Sequence, residues 1–224
     1  MKYTLTGTLV AALPRPAFPF HPRGVVVGPD QQLYVSNVQN FPAGNGGQVL
    51  RYSAASGSLL DVFISNDVSP QGKLRKPKGD CTDNLNRPEG LVFGPDGNLY
   101  ITSFRAGVGD IDRILIFAGP RHARPGACLG FIPLDDFPTD MVPNPPRSFA
   151  QALLFGPGGV LFVPIANLVT GQLVKDSGAI RRYAVGGRRL YPDFVPPAPV
   201  GPLQTPFYLT FGKSDPATLA YLGD

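Results

Sequence analysis

Tryptophan is missing from this 224-residue chain, and histidine and cysteine occur only twice each. His21 and His122 are far apart, and Cys81 and Cys128 form no CxxC pair. A zinc finger or ribbon is therefore excluded. Two scattered cysteines read more readily as free thiols, with a single disulfide as the alternative. No stretch approaches eighteen consecutive apolar residues, so no membrane-spanning helix is expected. Asn-x-Ser/Thr sequons are absent as well, which favours an intracellular, cytoplasmic site. The chain also lacks a Gly-x-Ser-x-Gly elbow, a phosphate-binding loop, a dinucleotide fingerprint and an HExxH helix. Charged residues make up 16% of the chain, against about 25% in an average soluble protein. Its formal net charge of +4 is a mild excess that names no partner.

Glycine and proline are abundant instead, at 27 and 26 residues. Both interrupt helices, so long helical architectures are disfavoured. Hydrophobic residues reach 43%, enough to build a core in one domain of this size. That domain is expected to span residues 1–224.

An internal repeat organises the chain. RGVVVGPDQQLYVSN at 23–37 matches EGLVFGPDGNLYITS at 89–103 and QALLFGPGGVLFVPI at 151–165. A more divergent copy, FYLTFGKSDPATLAYLG, runs from 207 to 223. Each copy reads as strand, tight turn and strand. Proline presets φ for the turn, and glycine accepts the positive φ that follows. Arg51-Tyr52 with Phe63, Ile114–Phe117, and Arg182-Tyr183 with Phe194 recur downstream and supply third and fourth strands. A four-stranded antiparallel unit cannot bury both faces alone, so such units must stack. Radial stacking predicts an all-β, four-bladed propeller of four-stranded antiparallel blades.

The final copy supplies only two strands before the sequence ends. Lys2-Tyr3 and the following TLTGTLVAAL are similar to the Arg51-Tyr52 segment. The N-terminal strand is therefore expected to close the ring against the 207–223 hairpin. For the same reason the opening residues are read as part of the fold and not as an export signal. The segments 41–47, 65–87, 133–148 and 167–178 read as loop insertions between strands.

At these residues the sequence resembles the NHL-repeat and gluconolactonase-like propellers, with RPEGLVFGPDGNLYITS at 87–103 the best match. The resemblance implies a propeller fold shared by lactonases, lyases and binding proteins. For lactonases it implies a divalent metal held partly by an acidic residue on a first strand, a place that only Glu89 matches. Ser36, Thr102 and Pro164 stand where an aspartate ligand is often found, so no metal site is assigned.

First strands of blades line the central channel, which makes Arg23, Glu89, Gln151 and Phe207 equivalent and convergent. They are expected to bind a small polar or amphipathic ligand, with Tyr208 beside them. An ion pair of Arg23 with Glu89 plugging the channel is the competing reading. Catalysis of hydrolase, lyase or isomerase type would use Glu89 with His21 or Arg23. The alternatives are a non-catalytic protein-docking scaffold and a metal-dependent lactonase. No cofactor is assigned. Asp80, Asp83 and Asn84, and Asp135, Asp136 and Asp140, read as solvated acidic turns. Basic clusters at 73–78, 121–124 and 181–189 lie on different blades without an aromatic stacking ladder, which argues against nucleic acid.

Overall fold

A computed structural model describes residues 2–3, 6–40, 45–66, 81–107, 110–135, 146–169 and 171–223. Within them the chain is all-β, with three main antiparallel sheets in chain order. The first sheet runs β3 (Pro22–Val27), β4 (Leu33–Asn40), β5 (Asn45–Tyr52), β6 (Leu59–Ser65), after a small ribbon of β1 (Lys2–Tyr3) and β2 (Leu9–Ala11). The second contains β7 (Arg87–Phe93), β8 (Leu99–Phe104), β9 (Arg113–Phe117) and β10 (Cys128–Pro133). The third is built on β11 (Arg147–Phe149), β12 (Leu154–Phe155), β13 (Leu161–Val169), β14 (Gln172–Leu173), β15 (Ala179–Tyr183) and β16 (Arg189–Val195). Sequence-neighbouring strands pair as hairpins, as the repeats predict.

The repeated turn explains why each hairpin folds locally. Gly28 N–H donates to the Gln32 carbonyl, Gly94 N–H to Asn98 and Gly156 N–H to Val160, at 2.8, 2.8 and 2.9 Å. The position with φ > 0 holds Gln31, Gly97 and Gly159 in turn, at 62°, 75° and 67°. Glycine occupies that conformation without the Cβ clash that Gln31 carries. Tyr34 and Tyr100 donate their hydroxyls to Asp30 and Asp96, both at 2.9 Å, clamping the turn to the strand that leaves it. In the third repeat Gly158 and Phe162 remove the carboxylate and the hydroxyl together. A buried hydroxyl without an acceptor would be destabilising, so the paired loss is self-consistent.

Successive sheets pack face to face through one repeated aromatic contact. Tyr34 meets Phe93 edge-on at 4.9 Å between ring centroids, and Tyr100 meets Phe155 at 5.1 Å. Phe162 meets Phe211 in the same way at 5.1 Å. One buried cluster joins the first and second sheets through Val26, Tyr34, Leu91 and Ile101, and another joins the second and third through Val92, Tyr100, Leu154 and Val163. Leu219 packs on both clusters, and the Val27 N–H donates to the Ala217 carbonyl at 2.9 Å. The C-terminal segment thus touches the third sheet through Phe211 and the first sheet through Ala217.

Three sequence expectations are corrected. First, residues 207–223 form no β-ladder, only a single bridge between Ser214 and Tyr221. The reason is local: the Asp215 carboxylate accepts N–H bonds from Ala217 at 2.8 Å and Thr218 at 2.7 Å, which favours a capped turn over a strand. Second, among the described residues β1 pairs with β2 and with no strand of another sheet, so the N-terminus does not complete a fourth sheet as a ladder strand. Residues just after it cover the first sheet instead, where Leu13, Phe18 and Phe20 pack on Val35, Leu50 and Tyr52. Third, Cys81 and Cys128 are disulfide-bonded, with Cα atoms 5.7 Å apart. The expected loop at 167–178 is also partly ordered as the β13–β14 hairpin. The insertions at 41–44, 67–80 and 136–145 lie outside the described residues.

Candidate functional site

The first strand of every sheet breaks at the same repeat position. In β3 the pairing passes from Pro22–Asn37 to Val25–Val35, and in β7 from Pro88–Ser103 to Leu91–Ile101. In the third sheet the strand is interrupted outright between β11 and β12. Arg23-Gly24, Glu89-Gly90 and Gln151-Ala152 sit in these bulges. A bulge releases backbone groups from the ladder and re-aims side chains. Here the released groups are recaptured by side chains: Ser36 Oγ accepts the Gly24 N–H at 2.8 Å and Thr102 Oγ1 accepts the Gly90 N–H at 3.0 Å. Ser36 Oγ also donates to the Glu89 carbonyl at 2.6 Å, tying the first bulge to the second. Pro164, at the corresponding place in the third repeat, has no hydroxyl, and there the strand opens completely.

The glycines in the bulges permit close sheet-to-sheet approach. A Cβ on Gly90 would lie 2.5 Å from the Gln151 carbonyl oxygen, and one on Gly24 2.8 Å from that of Glu89. Backbone cannot yield as a side-chain tip can. Gly90→Ala is expected to lower the unfolding free energy by about 1–3 kcal/mol. Urea unfolding checks this; a loss below about 0.5 kcal/mol would show that the sheets are not so closely apposed.

Arg23 and Glu89 are brought together, with Nε to Oε1 at 3.7 Å. The Glu89 side chain is only 14% exposed. Burial raises its pKa above the usual carboxylate value, opposed by the charges of Arg23 and Arg87. Gln151 presents its backbone carbonyl to Gly90. Phe207 packs edge-on against Phe149 at 5.8 Å, two residues from Gln151. Tyr208 is 75% exposed and faces solvent. His21 is tied into the sheet end: its N–H donates to Asn37 Oδ1 at 2.7 Å and its Nδ1 lies 2.9 Å from the Val38 carbonyl.

Repeat reasoning missed a second polar cluster, formed where β8 ends and β9 and β11 begin. The Asp112 side chain is fully buried and receives two bonds from Arg147, one from Nε at 2.5 Å and one from Nη2. Asp112 Oδ1 also accepts the Arg105 N–H at 3.2 Å. Asp135 accepts the N–H groups of Asp112 at 2.9 Å and Ser148 at 2.6 Å. Burial, reinforced by the neighbouring Asp112 charge, pushes the Asp135 carboxyl up to about 6. Arg181 bonds the Leu134 carbonyl at 2.7 Å and Ser148 Oγ at 3.3 Å, joining the third sheet to the cluster. Asp135, expected in a solvated acidic turn, is instead partly buried and bonded to two backbone N–H groups; Asp112 and Arg147 lie outside the repeated motif.

Among the described residues no group of three or more His, Cys, Asp or Glu side chains could hold a metal ion. Asp83 and Asn84 lie in a short 3-10 turn whose carbonyls accept bonds from Asn66 and Ser103. Asp80, Asp136, Asp140 and the basic run at 73–78 lie outside the described residues. No helix in the described residues is long and apolar enough to cross a membrane.

No family model matches the chain, and no curated protein matches it. Among solved structures, a Bacteroides uniformis ATCC 8492 protein provisionally assigned as a 6-phosphogluconolactonase is similar at 18% identity and a TM-score of 0.34. The match covers 74% of this chain and 54% of that one, so the chain spans about half the length of that structure.

Proposed function

We propose that the chain is a ring-like, propeller-type single domain that binds a small polar or amphipathic molecule at the mouth of its axis. Three repeated aromatic contacts between successive repeats, together with Ala217 and Leu219 bridging back to the first sheet, support a circular order of four modules. In this reading the C-terminal segment closes the circle, with the N-terminal ribbon outside it. The observation that carries the functional reading is the Arg23–Glu89 pair, set in neighbouring strand bulges at one sheet end. The Arg23 guanidinium, on a side chain one-third exposed, offers donors to a carboxylate, phosphate or carbonyl oxygen. A carboxyl with a raised pKa can hold or deliver a proton, which makes Glu89 the candidate general acid or base if the bound molecule is turned over. Gln151 and Phe207 would add an amide and an apolar wall. His21 is assigned a positioning role at the sheet end, since its ring and backbone both bond to β4.

Saturation-transfer NMR with a panel of small hydroxy acids, sugar lactones and sugar phosphates tests this proposal. A ligand found with the wild-type protein should lose about tenfold or more in affinity in Arg23→Ala and in Glu89→Gln. Tyr191→Ala, on an exposed position of β16, should leave it unchanged. Ligands insensitive to both mouth substitutions would overturn the assignment.

A further inference from the structure

The first sheet is unlike the other two on the face turned away from its successor. Val25, Leu91 and Leu153 are equivalent in the repeats. Leu91 and Leu153 are each only 3% exposed, whereas Val25 is 57% exposed. The later sheets have a preceding sheet against this position. Among the described residues, the first sheet has at this position the coil of residues 12–20, which covers the face partly, while the C-terminal segment reaches the sheet at Val27. A cavity of about 790 Å³ remains between that coil, β3, β4 and the β5–β6 turn. Its volume falls within the usual range for small-molecule sites.

The chemistry of its walls is one-sided. Leu13, Phe20, Val25, Leu33 and Val35 are among its apolar lining residues, and Ala54 and Ala55 belong to its turn side. Among the described residues, the ionisable groups lining it are Arg15 and Arg23, both cations, with no carboxylate. Arg23 also pairs with Glu89, so its positive charge is shared with the mouth, whereas Arg15 stands at the coil side. An apolar chamber with guanidinium groups as its ionisable lining is complementary to a molecule with an apolar body and a single anionic head. We infer that this cavity is a binding site for an amphipathic carboxylate of the fatty-acid type, its chain against Val25, Leu33 and Val35 and its carboxylate on Arg15, with Arg23 nearby. The inference rests on the cavity and not on the mouth reading, although the two share Arg23.

Sodium decanoate, kept below its micelle concentration, is the probe. Titration calorimetry and methyl NMR should show saturable binding, with shifts centred on the Val25, Leu33 and Val35 methyls. Decanol, with the same chain and no charge, should bind about tenfold or more weakly, and Arg15→Ala should lose a similar factor. Ala55→Trp, at an exposed turn position, should block binding by filling the chamber while the protein stays folded by circular dichroism. Glu89→Gln should retain decanoate binding; that result with lost mouth ligands would separate the two sites. Failure to saturate in the millimolar range, equal affinity for decanol, or shifts of these methyls that follow protein concentration would overturn the inference. The last would assign this face to a second copy of the chain.

Discussion

Arg147→Met is expected to destabilise the protein by about 3–5 kcal/mol near neutral pH, as removal of one partner of a buried ion pair does elsewhere. The Asp112 side chain has no exposed surface, and Arg147 supplies two of its hydrogen bonds. Without Arg147, the buried Asp112 carboxylate keeps the Arg105 N–H and lies near the Asp135 carboxylate, which accepts the Asp112 backbone N–H. Methionine preserves much of the side-chain volume, so the loss reports charge and not a cavity. The effect should depend on pH. Burial raises the Asp112 and Asp135 carboxyls in the folded protein, that of Asp135 to about 6. A folded-state value above the unfolded one means that the native state binds the extra proton. The carboxyls' contribution therefore falls as pH rises from the unfolded value through the folded one. Removing Arg147 pushes both folded-state values higher, so the variant should lose more at pH 8 than at pH 5. Urea unfolding at the two pH values checks this. A loss below about 1 kcal/mol at both would contradict the buried-pair account.

The double substitution Cys81→Ser, Cys128→Ser is expected to destabilise by about 2–4 kcal/mol. The bridge spans a sequence separation of 47 and fastens the 3-10 turn at Cys81–Asn84 to β10, the outer strand of the second sheet. In the chain-entropy description, opening so long a loop enlarges the unfolded ensemble more than the folded one. The variant should unfold at lower urea, and dithiothreitol should move the wild type to the same midpoint while leaving the variant unchanged. A wild-type midpoint insensitive to reductant, with the thiols shown to be reduced, would contradict a structural role for the bridge.

Much of the architecture was legible because its determinants are local. The Gly-Pro-Asp turn, the positive-φ position at 31, 97 and 159, and the Tyr–Asp clamp lie within one short motif, so repetition of the motif marks repetition of the hairpin. That alignment also put Arg23 and Glu89 at equivalent positions, and the structure pairs them. What escaped depends on distant partners. Asp112 and Arg147 lie outside the repeat, in segments flanking strand ends, and nothing in their sequence neighbourhood announces their contact. The cysteines were misread for the same reason: sequence separation does not reveal that the fold brings them to bonding distance. At the C-terminus local chemistry prevailed over the repeat. Asp215 turns its carboxylate on the next N–H groups, and the segment caps a turn where a strand pair was expected.

The proposed circular order of the modules is tested most directly at the contact between Val27 and Ala217. A long-range HNCO experiment on uniformly labelled protein detects the scalar coupling across a hydrogen bond from the Val27 nitrogen to the Ala217 carbonyl carbon. Closure by the C-terminal segment predicts that cross-peak, together with a Val27 amide protected from exchange. Its absence, with Val27 exchanging at the rate of an exposed amide, would contradict the closed arrangement on which the proposed mouth depends.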